Sequence, residues 1–311
     1  MKYLVGARGS QLSLAQTNWV ISELKQRDSS NEFEVVPITT RGDTDARPLF
    51  TINQKGIFEK EIDRAVAERK VDFAVHSLKD VPAELPDDLV LACIPKREPA
   101  NDIFISKDGS RLDEIKPGAL VGTSSLRRAV QVSRRRPDLV VRPIRGNIET
   151  RIKKINDGGF DGIVLAEAGV KRLGLDVKFE KLPLESFMPS PGQGALAIVA
   201  RGDNGGALDL LKKIEDPVSR NAIEAERSLS LFVDSGCRFP VGALAQQEGN
   251  MLTLSVTVYS VDGSKFIAVK KESEVGKSRE LGRQVASELS AKGIEELAKN
   301  WREKVEEWNA K

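Results

Sequence analysis

The feature that most constrains this chain is the alternation, through its first half, of short strand-like apolar runs with longer runs of helical period. LVGAR leads into QLSLAQTNWVISELKQ, where Leu14, Trp19, Val20 and Leu24 recur at near-helical spacing. EFEVVPITT alternates as a half-buried strand does, GIFEKEIDRAVAERK puts Ile57, Ile62 and Val66 on one helix face, and VDFAVHS reads as a buried strand. Such an order implies a sheet covered by helices on both faces, since each element has an apolar side that must be buried against another.

After LVLACIPKREPAND the pattern starts again: DIFIS, GALVGTS, the helical SLRRAVQVSRRRP, LVVRPIRG, the helical NIETRIKKINDG, and DGIVLAEAG. PSPGQGALAIVAR, rich in Pro and Gly before an apolar strand, reads as a crossing back to the first unit. Two crossings imply a hinged pair with a cleft between. A third region opens with the helical EDPVSRNAIEAERSLSLFV, continues through the strands MLTLSVTVYS and KFIAVKKESEV around the turn VDGS, and closes with a long charged helix from about Ser278 to the end. It reads as a small α+β domain.

At 311 residues the chain can bury two or three cores, and it has neither a signal-like apolar region at its N-terminus nor an apolar stretch long enough to span a bilayer. A cytoplasmic protein without a membrane partner is expected. Two cysteines, Cys93 and Cys237, cannot frame a disulfide scaffold, and with His76 as the single histidine neither a zinc site nor a Ser-His-Asp apparatus is expected. Proton transfer must fall to a carboxylate or a lysine if His76 does not perform it.

Formal net charge is only +2, yet eight arginines and no lysine lie between Gly122 and Arg151, with Asp138 and Glu149 the only acids there. Arginine's planar donor fork grips carboxylate or phosphate at two points, so the choice of Arg points to a polyanion held by geometry as well as charge. GTSSLRR sets Thr123, Ser124 and Ser125 at a helix start, where free N–H groups favour an anion and where the same residues also serve as caps. Arg127 and Arg128 in the first turn oppose the helix dipole, so something anionic should compensate them, whereas Arg134, Arg135 and Arg136 suit the helix C-terminus and read as solvated. RGNIETR repeats the strand-end and helix-start arrangement, flanked by Arg145 and Arg151. Arg8, Ser10, Arg41 and Lys55 come from other strand-end loops. Near-zero net charge and 5% aromatics speak against a nucleic-acid surface.

VDFAVHS runs into LKDVP, which puts Lys79 and Asp80 just past a strand's carboxyl end, where ligands of open α/β sheets gather. Asp80 fits an acid–base role and fits equally a turn opener before Pro82. His76 reads as a satisfied, partly buried histidine and Cys93 as an inert buried thiol. Cys237, in the glycine-flanked loop SGCRFPVGA beside Arg238, fits a structural thiol or a reactive one.

Together the ordered segments LVGARGSQLSLAQ, TTRGD, KGIFEKEI, VDFAVHSLKDVP, VGTSSLRRAVQ, RPDLVVRPIRGNIETR, GIVLAEAGVKRLGL, PGQGALAI and SGCRFPVGA resemble the porphobilinogen deaminase (hydroxymethylbilane synthase) family across about the first 245 residues. The resemblance implies two periplasmic-binding-protein-like (type II) α/β lobes with a cleft between them, residues 1–97 with 194–213 and residues 98–193, plus a small C-terminal α+β domain, 214–311. It implies a transferase that joins four porphobilinogen molecules head to tail, with loss of ammonia, on a covalent dipyrromethane cofactor.

By position, the resemblance assigns the thioether attachment of dipyrromethane to Cys237 and the catalytic carboxylate to Asp80. Lys79, Asp80, Ser125, Arg127, Arg128, Arg145 and Arg151 would hold the cofactor. Arg8, Ser10, Gln16, Arg145, Arg151 and Arg172 would serve the substrate and the growing chain, and Lys55 and Phe58 would lie on a loop over the site. It further implies porphobilinogen as the small-molecule partner, no nucleic acid, no metal, a cytoplasmic monomer, and a product handed to the next tetrapyrrole-pathway enzyme.

Overall fold

The computed structural model describes residues 1–40, 59–233, 240–298 and 303. In chain order these form β1 (Lys2–Arg8), α1 (Gln11–Arg27), β2 (Glu32–Ile38), α2 (Lys60–Ala67), β3 (Phe73–Ser77) and β4 (Leu89–Cys93). There follow β5 (Asp102–Ser106), β6 (Leu120–Gly122), α3 (Leu126–Arg135), β7 (Val140–Arg142), α4 (Ile148–Asn156), β8 (Gly162–Ala166), α5 (Glu167–Arg172) and β9 (Glu180–Lys181). The rest comprises β10 (Leu196–Arg201), α6 (Gly205–Lys212), α7 (Pro217–Val233), β11 (Val241–Glu248), β12 (Met251–Tyr259), β13 (Phe266–Glu274), α8 (Ser278–Ala291) and α9 (Ile294–Ala298).

Two compact units result, Met1–Glu98 with Gly194–Ile223, and Pro99–Gln193 with Glu224–Lys311. The first contains a five-stranded sheet of order β2-β1-β3-β10-β4, in which β1 pairs in parallel with β2 and β3 while β10 runs antiparallel to β3 and β4. Period-two alternation divides its core. Phe73, Val75, Ile198 and Ala200 face one side with Val20 and Leu24 of α1, and Ala74 and Val199 face the other with Ile62 and Val66 of α2.

The second unit repeats the plan as β7-β6-β8-β5-β9, with β6 parallel to β7 and β8, and β5 antiparallel to β8 and β9. Ile103, Ile105, Ile163 and Leu165 pack on one face with Ile155 of α4, and Phe104 and Val164 pack on the other with Ala129 and Val132 of α3. In both sheets the strand that follows a crossing, β10 or β5, is the antiparallel one.

The C-terminal part of this unit is the antiparallel sheet β11-β12-β13 with helices, as expected. Leu252, Leu254, Val256 and Val258 of β12 are buried, and Thr253, Ser255 and Thr257 between them are less so. The long final helix is instead interrupted: α8 ends at Ala291 and α9 resumes at Ile294, across Gly293 at φ +83°. Glycine adopts that left-handed conformation without Cβ strain, so it ends a helix there.

Candidate functional site

The carboxyl ends of the parallel strands carry the predicted polar residues, because each strand there gives way to a turn and a helix start. At the end of β6, Thr123 is fully buried and its hydroxyl accepts the N–H of Ser125 at 3.2 Å. Ser125 is the N-cap of α3 and accepts from the Arg128 N–H at 3.5 Å. Ser124 Oγ donates to the Ile144 carbonyl and so joins the two strand-end loops.

Arg127 and Arg128 are 3% and 7% exposed, and their compensating anion is internal. Asp102, at the start of β5 and 0% exposed, receives Arg127 Nη1 on Oδ2 at 2.7 Å, and Arg128 Nε on Oδ1 at 2.9 Å and Nη2 at 2.8 Å. Burial pushes the Asp102 carboxyl up, but the two guanidinium groups outweigh it and bring its pKa down to about 2. Register explains the meeting: Asp102 pairs with Ala166, the last residue of β8, so the start of the antiparallel strand lies at the same sheet edge as the ends of the parallel ones.

The two arginines then differ. Arg127 Nη1 also donates to Gln131 Oε1 at 2.8 Å and to the Met188 carbonyl at 2.7 Å, and its Nε to Ser190 Oγ at 3.3 Å. Arg128 Nη2 reaches Gln193 Oε1 at 3.2 Å, while Nη1 meets the Val164 carbonyl only at 3.5 Å. Gln193 in turn donates through Nε2 to Asp102 Oδ1 at 2.8 Å and to the Ala100 carbonyl at 2.6 Å.

At the end of β7, Gly146 has φ +112°, and a Cβ there would sit 2.6 Å from the Thr150 side chain. This glycine allows the chain to turn tightly into α4, which Asn147 caps by accepting the Thr150 N–H at 2.8 Å. Arg151 is partly buried, donates from Nε to the Gly146 carbonyl at 2.8 Å, and is paired with no carboxylate among the described residues. Burial, aided by the charge of Arg128, lowers its pKa to about 10. Arg145 is exposed beside it. Arg172 ends α5, whose first residue Glu167 is buried between Lys171 at 2.8 Å and Lys181 at 3.0 Å. Glu167's pKa is lowered because the two lysines overcome burial, the largest single influence on it.

Of the C-terminal arginines of α3, Arg134 and Arg135 are exposed as expected, and Arg136 is half-buried. Arg134 stacks 4.5 Å from the centre of the Phe266 ring and donates to the Gly263 carbonyl. Arg136 is tied to Asp138 and to the carbonyls of Leu112 and Ile115. Arg135 makes only an exposed two-point pair with Asp113, at 3.0 and 2.5 Å.

In the first unit, Ser10 caps α1 by accepting the Ser13 N–H at 3.3 Å, and the Arg8 N–H donates to Ser13 Oγ at 3.1 Å. Gln16 is buried and donates through Nε2 to Ser77 Oγ at 2.9 Å, which ties α1 to the end of β3. There a short 3-10 turn, Leu78–Asp80, exposes Lys79 and Asp80. Among the described residues the Asp80 carboxylate has no hydrogen bond or ion pair. His76 is buried and its Nε2 lies 3.0 Å from Asp63 Oδ1, the satisfied histidine expected. Cys93 is fully buried, and burial raises its thiol pKa strongly, which fits an inert side chain.

Arg8, Ser10, Gln16, Lys79 and Asp80 thus gather on the rim of one sheet, and Ser125, Arg127, Arg128, Arg145 and Arg151 on the equivalent rim of the other, while Arg172 lies at the far end of α5. Cys237, Lys55, Phe58 and Arg41 lie outside the described residues. Sequence reasoning missed Asp102, Gln193 and Ser190. The one signal that pointed toward Asp102 was the demand of Arg127 and Arg128 for an anion.

Comparison with known proteins adds an independent line. Residues 3–208 match the family model "Porphobilinogen deaminase, dipyromethane cofactor binding domain", and residues 221–291 match "Porphobilinogen deaminase, C-terminal domain". A relative from Nitrosopumilus maritimus, "Probable porphobilinogen deaminase", is 66% identical over 309 residues, covering 99% of each chain. "Porphobilinogen deaminase" from Brevibacillus brevis is 46% identical over 94% of this chain and 95% of its own. Among solved structures, the second substrate binding domain of a putative amino acid ABC transporter from Streptococcus pneumoniae aligns over 68% of this chain and 91% of its own, at 14% identity and TM-score 0.42.

Proposed function

The chain belongs to the porphobilinogen deaminase family, and from that premise we propose how its own residues divide the work. Its activity is that of porphobilinogen deaminase (hydroxymethylbilane synthase, EC 2.5.1.61) in tetrapyrrole biosynthesis, and residues 3–208 form a dipyrromethane cofactor-binding domain. When bound, that cofactor supplies the nucleophilic pyrrole carbon on which porphobilinogen units are joined with loss of ammonia. The chain itself must attach the primer, neutralise its carboxylates, and manage protons and positive charge at the reacting centre.

The single observation that carries the assignment of residues is Arg151. A partly buried arginine without a carboxylate partner among the described residues, repelled by a second arginine, is costly unless a ligand brings negative charge. Asp102 offsets only one of the two charges on Arg127 and Arg128, which leaves a further surplus at the same rim. This fits a group bearing acetate and propionate side chains. Arg128, Arg145 and Arg151, with Ser125 and Lys79, bind those carboxylates on the cofactor and the growing chain. Arg127, whose Nε and Nη1 donors are already engaged, contributes its charge from behind them.

Asp80 is the catalytic carboxylate. Its exposed position at a strand end and its lack of an internal partner among the described residues leave it available to pyrrole N–H groups, to proton delivery toward the leaving amine, and to the positive charge that develops as ammonia departs. Arg8 and Ser10 serve the incoming porphobilinogen, Gln16 holds Ser77 at the base of the Asp80 turn, and Arg172 serves the growing chain. Cys237 carries the thioether.

We assign the domains as 1–97 with 194–213, 98–193 and 214–311, and we place the enzyme in the cytoplasm as a monomer that passes its product to the next tetrapyrrole-pathway enzyme. No helix of the described residues is long and apolar enough to cross a membrane, and the net charge of +2 supplies no general attraction for nucleic acid. Intact-mass measurement tests the core of the reading. Protein from cells that make porphobilinogen should carry one covalent dipyrromethane, and Cys237→Ala should carry none; an unmodified wild-type chain would refute the attachment.

A further inference from the structure

Asp102 is the most deeply buried charged group at the arginine rim, and no ligand can reach it, since its exposure is 0%. Its surroundings bear on how the rim is built. Arg128 commits Nε and Nη2 to the Asp102–Gln193 pair at 2.8 to 3.2 Å, whereas its Nη1 has only a distant carbonyl at 3.5 Å. A guanidinium is planar, so fixing two of its three nitrogens fixes where the third points.

We propose that Asp102 is a positioning residue for Arg128: with Gln193 it holds the guanidinium by Nε and Nη2, so that Nη1 is presented to a carboxylate of the dipyrromethane or of the growing chain. Arg127 completes the arrangement from the other side of Asp102, occupying Oδ2 and leaving Oδ1 to Arg128 and Gln193. The Gln193 segment is itself anchored. The neighbouring Gly192 N–H donates at 2.6 Å to Oε2 of Glu226, a fully buried residue of α7 whose Oε1 accepts the Ala245 N–H of β11 at 2.8 Å. Pro189 likewise accepts the Ala243 N–H at 2.8 Å. The aim of Arg128 is therefore set by the packing of the 189–193 segment against the C-terminal strands and α7. Preorganisation of this kind removes the reorganisation that would otherwise weaken carboxylate binding.

The inference rests on the proposal that these arginines bind pyrrole carboxylates, and the test separates the two. Gln193→Met removes an amide that touches both Asp102 and Arg128 without changing any charge, and Asp102→Asn removes the anion. Folding of each is checked by circular dichroism and thermal melting. Each apoprotein is then incubated with porphobilinogen, covalent dipyrromethane is followed by intact mass, and KM and kcat are measured on the loaded fraction. Gln193→Met should load on the order of tenfold more slowly. Its KM should rise with kcat held within about threefold, the pattern of lost uniform binding. Folded Asp102→Asn should be impaired at least as much.

Normal loading and normal KM in folded Gln193→Met overturn the proposal whatever its melting temperature, because a merely structural role would move only the latter. Normal loading by folded Asp102→Asn overturns it as well, and if that variant fails to fold, Gln193→Met decides alone. Arg128→Ala distinguishes the levels: normal loading there sinks the carboxylate reading of the rim itself. Loss of loading in Arg128→Ala alone, with both other variants normal, sinks only the role of Asp102.

Discussion

The roles proposed for Asp80 and Arg151 rest on what each side chain lacks among the described residues. Since the Asp80 carboxylate is exposed and engages no other described residue, Asp80→Asn should leave the thermal midpoint and the covalent cofactor mass unchanged. Ammonia release should fall by about two to four orders of magnitude, the range general acid–base catalysis contributes; near-normal turnover would remove Asp80 from the chemistry. Arg151 is the opposite case, a charge the apoprotein would be more stable without. Its pKa is about 10 in the folded chain, below the ordinary 12.5, so the protonated form is disfavoured by folding at any pH below about 10, and that penalty is relieved only as the pH rises through it. Arg151→Met should accordingly raise the melting temperature of the apoprotein, by about 2 °C, while slowing dipyrromethane loading. Calorimetry and intact mass together check this, and a lowered midpoint would show that Arg151 is structural.

The two ends of α3 separate binding from packing within one element. At its start, Ser125→Ala deletes the cap acceptor and should cost about 1 kcal/mol of stability, measurable by urea unfolding. At its other end the expectation of three solvated cations holds for the exposed Arg134 and Arg135 and fails for Arg136. Arg135 pairs only with exposed Asp113, and screened surface pairs contribute little, so Arg135→Ala should be silent in both stability and loading. Arg134 spans from the helix to the aromatic face of Phe266, and Arg134→Ala should lower the melting temperature where Arg135→Ala does not. At the neighbouring turn into α4, Gly146→Ala must place a Cβ at φ +112° and 2.6 Å from Thr150. A loss of about 1 to 3 kcal/mol is expected there.

For the whole molecule, the buried Asp102 makes acid stability a property of the arginine rim. A folded-state pKa of about 2, against an ordinary 3.8, means its contribution is complete above about pH 4 and is lost as the pH falls from there toward 2. Acid unfolding followed by fluorescence should show this loss in the wild type, and a folded Asp102→Asn should lack that component. Much of this was legible in the sequence. Apolar periodicity identified most of the alternating elements of the two α/β sheets, though not β9, α5 or α6, and the strands β12 and β13; turn residues after apolar runs put Asp80 and Ser125 just past strand ends and Arg151 at a helix start, because these signals depend only on neighbours along the chain. The break at Gly293 carried a local signal too, in the glycine itself. What tertiary structure alone decided was the pairing: that β10 and β5 enter their sheets antiparallel, and that among the described acidic residues Asp102 is the one beneath Arg127 and Arg128. The arginines advertised their need for an anion, but strand direction and register brought Asp102 beside Ala166, and those follow from which surfaces pack together across the chain.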